Sequence, residues 1–254
     1  MKSNKVNPMK KLVVSNRKGG VGKTFISTHL AHSALERNLN LLFIDNDPQG
    51  NAGDSLESYA TKVFNTIDIY TQKIDFSECC QGDKYFVLFK GTEEIEELDS
   101  DNLDILVDNI LSANEYFSLC VIDTPPTSGK LQDYSFTVSD FVLSPFQLDS
   151  FSYTGFATLI ERISQIQEVN PNINFLGFIP NLVDLRSSFD REQLKNVTEE
   201  YAAFMFGSDS YLPLRTHVKI ANHEGMPVWK VKNGAKTGKL VRKLNNAIFD
   251  KIGV

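Results

Sequence analysis

The sequence is poor in cysteine. Its three thiols, Cys79 beside Cys80 and Cys120 inside an apolar run, have neither the number nor the spacing of a disulfide framework or a zinc knuckle. They read as buried or incidental. Histidine is scarce too. His29 and His32 are the one close pair among four, and zinc there would need further ligands that the surrounding sequence does not offer. No apolar run approaches the roughly 18 residues that span a bilayer. The first eight residues lack the apolar stretch of a signal peptide, which predicts a cytoplasmic protein. Internal repeats, low-complexity tracts and linkers are absent as well. The expectation is therefore a short extension over residues 1–10 and one domain over 11–254.

What is present is ordinary in bulk, with 41% hydrophobic and 23% charged residues, but unevenly charged. The formal net charge is −6. Residues 213–254 nevertheless hold nine Lys/Arg (Arg215, Lys219, Lys230, Lys232, Lys236, Lys239, Arg242, Lys243, Lys251) against Glu224 and Asp250. An acidic body with a basic end predicts a localised polyanion-binding surface. Residues 93–108 carry eight Asp/Glu and read as a solvated acidic face with at most one strand-like patch.

Short apolar runs recur at Leu12–Ser15, Leu41–Ile44, Tyr85–Phe89, Leu119–Ile122, Phe141–Leu143 and Phe175–Ile179. They are continuous rather than alternating, so both faces of each strand are expected to be buried. The predicted fold is α/β, a mostly parallel doubly wound sheet flanked by helices. Ile26, Leu30, Ala34 and Leu35 repeat at helical spacing after the first run. Further helices are expected near 154–168, 190–206 and 237–252.

Between the first strand and its helix stands Asn16-Arg17-Lys18-Gly19-Gly20-Val21-Gly22-Lys23-Thr24. A phosphate needs several backbone N–H groups converging on it, and glycine lets the backbone come that close. The helix N-terminus adds positive dipole. Lys23 supplies a point charge for the β- and γ-phosphates of ATP, and Thr24 a hydroxyl ligand for Mg²⁺. Arg17 stands where the usual Gly-x₄-Gly-Lys-Ser/Thr pattern has its first glycine, so the pattern is a deviant one. Downstream, Asp45 and Asp47 follow the second apolar run and Asp123 follows the fourth. Carboxylates at strand C-termini lie where parallel sheets bind ligands. They can hold Mg²⁺ or orient a water, and they can equally cap a helix, a turn or a strand end.

These segments resemble the ParA/MinD family of deviant Walker A ATPases, most closely its short partition proteins. Lys18–Thr24 is similar to the family's phosphate loop, and Asp45-Asn46-Asp47-Pro48-Gln49-Gly50 to its segment after the second strand. Val121-Ile122-Asp123-Thr124-Pro125-Pro126 is similar to its Walker B end. Weaker likenesses are Ser144-Pro145 and Gly177–Asn181 with Asp184 and Arg186, the latter like the nucleotide-base segment. The resemblance implies a Mg²⁺-dependent ATPase of weak intrinsic activity with Lys18, Lys23 and Asp47 in catalysis. It implies nucleotide contacts from Lys18, Gly19, Gly20, Val21, Gly22, Lys23, Thr24, Phe25 and Asn181. Thr24, Asp45 and Asp123 would stand around the metal. Lys18 would reach the nucleotide of a second subunit, giving an ATP-sandwich homodimer; the plainer alternative is a solvated surface lysine.

For the basic end the resemblance offers two functions. A partition protein would hold non-specific DNA with Arg215, Lys219, Lys236, Lys239, Arg242 and Lys243, sit on the nucleoid and answer to a ParB-like adaptor. A MinD-like protein would instead position itself on a membrane, or move a protein cargo. Leu240, Val241, Leu244, Ile248, Phe249 and Ile252 form an apolar stripe at helical spacing that reads as core, and Trp229 reads as packing. Nitrogenase iron protein is related, but no cysteine here is placed for its cluster. A metabolic ligase or reductase would need a substrate pocket that no motif marks. The glycine loop begins within twenty residues of the start, so no helix-turn-helix is expected ahead of it.

Overall fold

The computed structural model describes residues 8–127, 129–148, 151–207 and 210–254, with only the backbone path at 151–155. Most of the 1–10 extension lies outside the described residues. Its last part belongs to the sheet: Met9 is buried and the first strand begins at Lys10.

The chain runs β1 (Lys10–Val14), α1 (Lys23–Glu36), β2 (Leu41–Asp45), α2 (Asn51–Leu56), β3 (Lys62–Asn65), α3 (Thr66–Thr71), α4 (Phe76–Cys79) and β4 (Phe86–Lys90). It continues through α5 (Asn102–Ala113), β5 (Leu119–Asp123), α6 (Lys130–Thr137), β6 (Phe141–Phe146), α7 (Phe151–Ile166) and β7 (Asn174–Pro180). It ends with α8 (Ser188–Glu200), α9 (Thr216–Glu224) and α10 (Ala235–Ile252). Seven strands form one sheet in the order β3-β4-β2-β5-β1-β6-β7, and every pairing is parallel.

The continuous apolar strands are buried on both sides. In β1, Val13 packs into one core layer while Leu12 and Val14 pack into the other. In β2, Leu42 and Ile44 oppose Leu41 and Phe43 in the same way. Helices cover both layers, because neither face of such a strand tolerates water. β1 lies between β5 and β6, where successive crossovers go to opposite sides, so the loop after it opens into the crevice that this topology leaves.

Four observations bear on the expectations. The edge strand β3 has only four residues, exposed at both ends, and carries no continuous apolar run. The acidic stretch 93–108 holds no strand and keeps its acids in solvent, in keeping with the solvated face expected. It is a 3-10 turn at Glu93–Glu97 followed by the start of α5, with Ile95, Leu98 and Leu106 buried and the acids facing outward. In α10, Val241, Leu244, Ile248, Phe249 and Ile252 are core, but Leu240 is 38% exposed on the opposite side. The helix expected over 190–206 is α8 and a separate 3-10 turn at Ala202–Phe204.

Candidate functional site

The site is built at the C-terminal ends of β1, β2 and β5. Pairing register sets Val14 beside Asp123 and Asp45 beside Asp123, so the glycine loop and two carboxylates meet without help from side-chain packing. The loop turns because Gly20 and Gly22 adopt left-handed φ of 74° and 93°, a region that costs any other L-residue. Gly22 is the N-cap of α1. A Cβ there would lie 2.0 Å from Asn181 Nδ2.

Side chains far along the chain brace the loop. Asn16 accepts the Lys18 amide at 2.9 Å and donates to the Pro145 carbonyl at 2.9 Å and to Ser144 Oγ at 3.3 Å. Gln147 donates to the Gly20 carbonyl at 3.1 Å. Asn181, at the end of β7, donates to the Val21 carbonyl at 2.7 Å and accepts the Leu182 amide. Its amide is therefore engaged with protein at both ends. Phe25 is buried and packs on His29, with ring centroids 4.0 Å apart. Lys23 is buried, and its Nζ donates to the Lys18 carbonyl at 3.4 Å. Burial pulls its pKa down, while Asp123 and Asp47 push it back up.

Asp123 and Asp47 act on that lysine, and Asp45 stands beside Asp123. Asp123 is fully buried. Its Oδ2 accepts the Thr24 hydroxyl at 2.7 Å, and its Oδ1 is buried with no protein partner. Burial raises its pKa to about 6, against the pull of Thr24 and Lys23. Asp45 is also fully buried. One oxygen accepts the Gly53 amide at 2.7 Å and the other the Asp47 amide at 3.2 Å. Burial and the nearby Asp123 push its carboxyl well above the usual range. Asp47 is half-buried. Its Oδ1 accepts the Gln49 amide at 3.0 Å, and its carbonyl accepts the Gly50 amide at 2.9 Å. Gly91 closes over this turn, since a Cβ there would come within 2.0 Å of the Asp47 carbonyl oxygen.

A cation fits this donor set. A buried carboxylate oxygen without a donor is costly, and here it sits beside a hydroxyl oxygen and a loop shaped for phosphates. Magnesium is commonly held by one or two protein oxygens plus substrate phosphates and water. Among the described residues no cluster of three His, Cys, Asp or Glu is placed around one metal. His29 is excluded as a ligand by its contacts. One ring nitrogen is 2.7 Å from the Phe25 carbonyl and the other accepts the Val228 amide at 2.9 Å.

The structure thus brings together residues 18–25, Asp45, Asp47, Asp123 and Asn181. It separates the expected basic patch into two places. Arg215 precedes α9, which packs on α2, and adds to the pull of Arg186 that holds the Asp184 carboxyl down at about 2. Lys219 is on the same helix. Lys236, Lys239, Arg242 and Lys243 are exposed on α10, which packs on α1. A groove of about 640 Å³ runs between Trp229 and Lys239, Arg242 and Lys243. Arg242 is tied down. It pairs with Glu36 at 2.9 Å and lies 4.5 Å over the Trp229 ring, whose N–H also donates to Glu36. The braces Asn16, Gln147 and Gly91 were not singled out from sequence, because only their distant partners give them meaning.

The AAA domain family matches residues 9–175. Protein IncC of Escherichia coli is 32% identical over 97% of this chain and 71% of its own length. The chromosome partitioning protein ParA of Caulobacter vibrioides is 25% identical over 87% of each chain. Among solved structures, the septum site-determining protein MinD of Pyrococcus horikoshii, complexed with Mg-ADP, superposes with a TM-score of 0.70. It is 18% identical and covers 96% of this chain and 98% of its own, a likeness of fold.

Proposed function

Because this chain belongs to the ParA/MinD family of AAA-domain P-loop ATPases, we propose that it hydrolyses ATP with Mg²⁺ as a homodimer that holds DNA non-specifically. In this reading it segregates or positions a DNA cargo on the nucleoid with a ParB-like adaptor. The observation that carries the ATPase reading is the buried, unpartnered Oδ1 of Asp123 beside the Thr24 hydroxyl and Lys23. When bound there, Mg²⁺ neutralises charge on the phosphate oxygens.

The chain's own residues do the rest. Backbone N–H groups of residues 19–25 cradle the phosphates, and Lys23 adds a charge that Asp123 and Asp47 sustain against its burial. Asp47 orients the attacking water. Asp45 acts from behind, holding the Asp47 and Gly53 amides in place. Asn181 serves the nucleotide by supporting the loop through Val21. Lys18 acts across the dimer, since Lys23 already serves the phosphates of its own subunit. Lys236, Lys239 and Lys243 attract DNA phosphates, and the dimer doubles that patch on one face. Arg242, tied to Glu36, organises the groove.

The test is fluorescence anisotropy on two unrelated duplexes, with ATP or ADP, over several salt concentrations. Affinity should be much higher with ATP. Joint replacement of Lys236, Lys239 and Lys243 by Ala should weaken both duplexes alike and flatten the salt slope by about 0.9 per lost contact. Equal affinity in ATP and ADP, or a variant that binds like the parent, removes DNA from the reading. ATP-dependent binding to anionic vesicles instead would transfer it to a membrane.

A further inference from the structure

Asn46 stands between the two aspartates at the end of β2 and is completely buried. Its backbone N–H donates to the Asp123 carbonyl at 2.9 Å. Its side chain donates to the Leu131 carbonyl at 3.1 Å and to Ser135 Oγ at 2.8 Å, and accepts the Tyr70 hydroxyl at 2.9 Å. The amide's orientation is fixed by its neighbours. Ser135 gives its own proton to Leu131 at 2.7 Å and so accepts from Asn46. Burial pushes the Tyr70 phenol far above its ordinary value, so it remains a donor. A fully satisfied buried polar network of this kind rigidifies what it joins.

What it joins is specific. Leu131 and Ser135 lie on α6, the next helix after Asp123. Tyr70 lies on α3, and its ring is 6.1 Å from that of Tyr134 on α6. Thr127, Gly129 and Lys130, which follow Asp123 in the chain, and Asp47, Pro48 and Gln49, which follow Asp45, line a cavity of about 340 Å³. The Asp47 turn is also held by Asp45, by Gly91 and, through the Asn46 N–H, by the Asp123 carbonyl; the Asn46 side chain adds the tie to α6.

We infer that Asn46 is a positioning residue for hydrolysis. It ties the Asp47 turn to α6 and so fixes the water-orienting carboxylate against the loop that follows Asp123. This rests on the reading of Asp47 given above. A displacement of about 1 Å at a reacting group can cost roughly a hundredfold in rate. Nucleotide affinity, which comes from the glycine loop, does not depend on that distance.

ATP turnover with Mg²⁺ should be measured for the parent, Asn46→Ala, Tyr70→Phe, Asp47→Ala and the two double variants with Asp47→Ala. Asn46→Ala should lower kcat about tenfold to a hundredfold, with KM within about twofold. Tyr70→Phe, which removes one hydrogen bond, should lower kcat less and in the same direction. Neither should slow Asp47→Ala further, because a residue acting through Asp47 has nothing left to position. Multiplicative losses, a loss confined to KM, or unchanged turnover in Asn46→Ala with Asp47→Ala slow would overturn the inference alone. Wild-type turnover in Asp47→Ala would instead overturn the Asp47 reading and this with it. If Asn46→Ala does not fold, Tyr70→Phe carries the same cycle.

Discussion

The phosphate-facing edge and the α1–α10 face are both rich in charge, and they treat it in opposite ways. At the edge, Lys23, Asp45 and Asp123 are buried, and their pKa values are displaced by that burial. On α10 the lysines stand in solvent, and Arg242 is held by Glu36 and Trp229. Burying charge without full pairing destabilises the fold, so the edge is arranged for a ligand rather than for stability. The α1–α10 face is the reverse. Asn245 donates to the His29 carbonyl and to Ser33 Oγ, both at 2.8 Å, and the contacts there hold the protein together.

The sharpest way to break this contrast is Lys23→Ala. ATP affinity in titration calorimetry with Mg²⁺ should be abolished, because the charge at the β- and γ-phosphates is lost. Unchanged affinity would end the assignment of the loop.

A second, smaller effect lies on the α1 face. Burial lowers the pKa of His29 to about 3 and of His32 to about 4. Unfolded histidine titrates near 6.5, so between about pH 4 and 6.5 the unfolded chain binds more protons and stability falls as pH falls. Each buried histidine contributes about 1.4 kcal/mol per pH unit to that loss. His32, which packs edge-on against Tyr59, can be replaced by Phe. Urea titrations from pH 7 to 5 should then show a shallower decline than the parent by about that slope. Equal slopes would mean that His32 is not held neutral.

The smallest effect expected is that of Arg242→Ala. The Glu36 pair is partly exposed, so the loss should be about 1 kcal/mol including the contact with Trp229, read as a small fall in Tm. ATP affinity should not change. A change there would mean that the α10 face and the phosphate edge are coupled.

The contrast also explains what was legible in the sequence. The glycine loop, Asp45, Asp47 and Asp123 are local patterns attached to apolar strands, and backbone pairing alone brings them together. β1, β2 and β5 were legible for the same reason, since burial on both faces leaves an unbroken apolar run. β3 was not, because a four-residue edge strand flanked by Lys62 and Asn65 needs no such run. The first turns of α5 were hidden under their own acids, whose outward faces say nothing about Leu106 beneath them. Asn46 and Asn16 were opaque, as their partners lie 85 and 129 residues away. The basic residues could be counted but not placed, and charge alone did not separate Arg215 near Asp184 from the lysines of α10.

The bond from Asn245 to the carbonyl of His29 spans 216 residues. During synthesis the buried face of α1 waits for α10 to emerge, on the order of 10 to 40 s later at ordinary ribosome speeds. Until then Leu30, Ala34 and the strand residues Leu12 and Val14 lack the Leu244, Ile248 and Phe249 layer with which they share a core. A nascent chain would hold its phosphate loop on an uncovered apolar sheet, a substrate for chaperones before it is one for nucleotide.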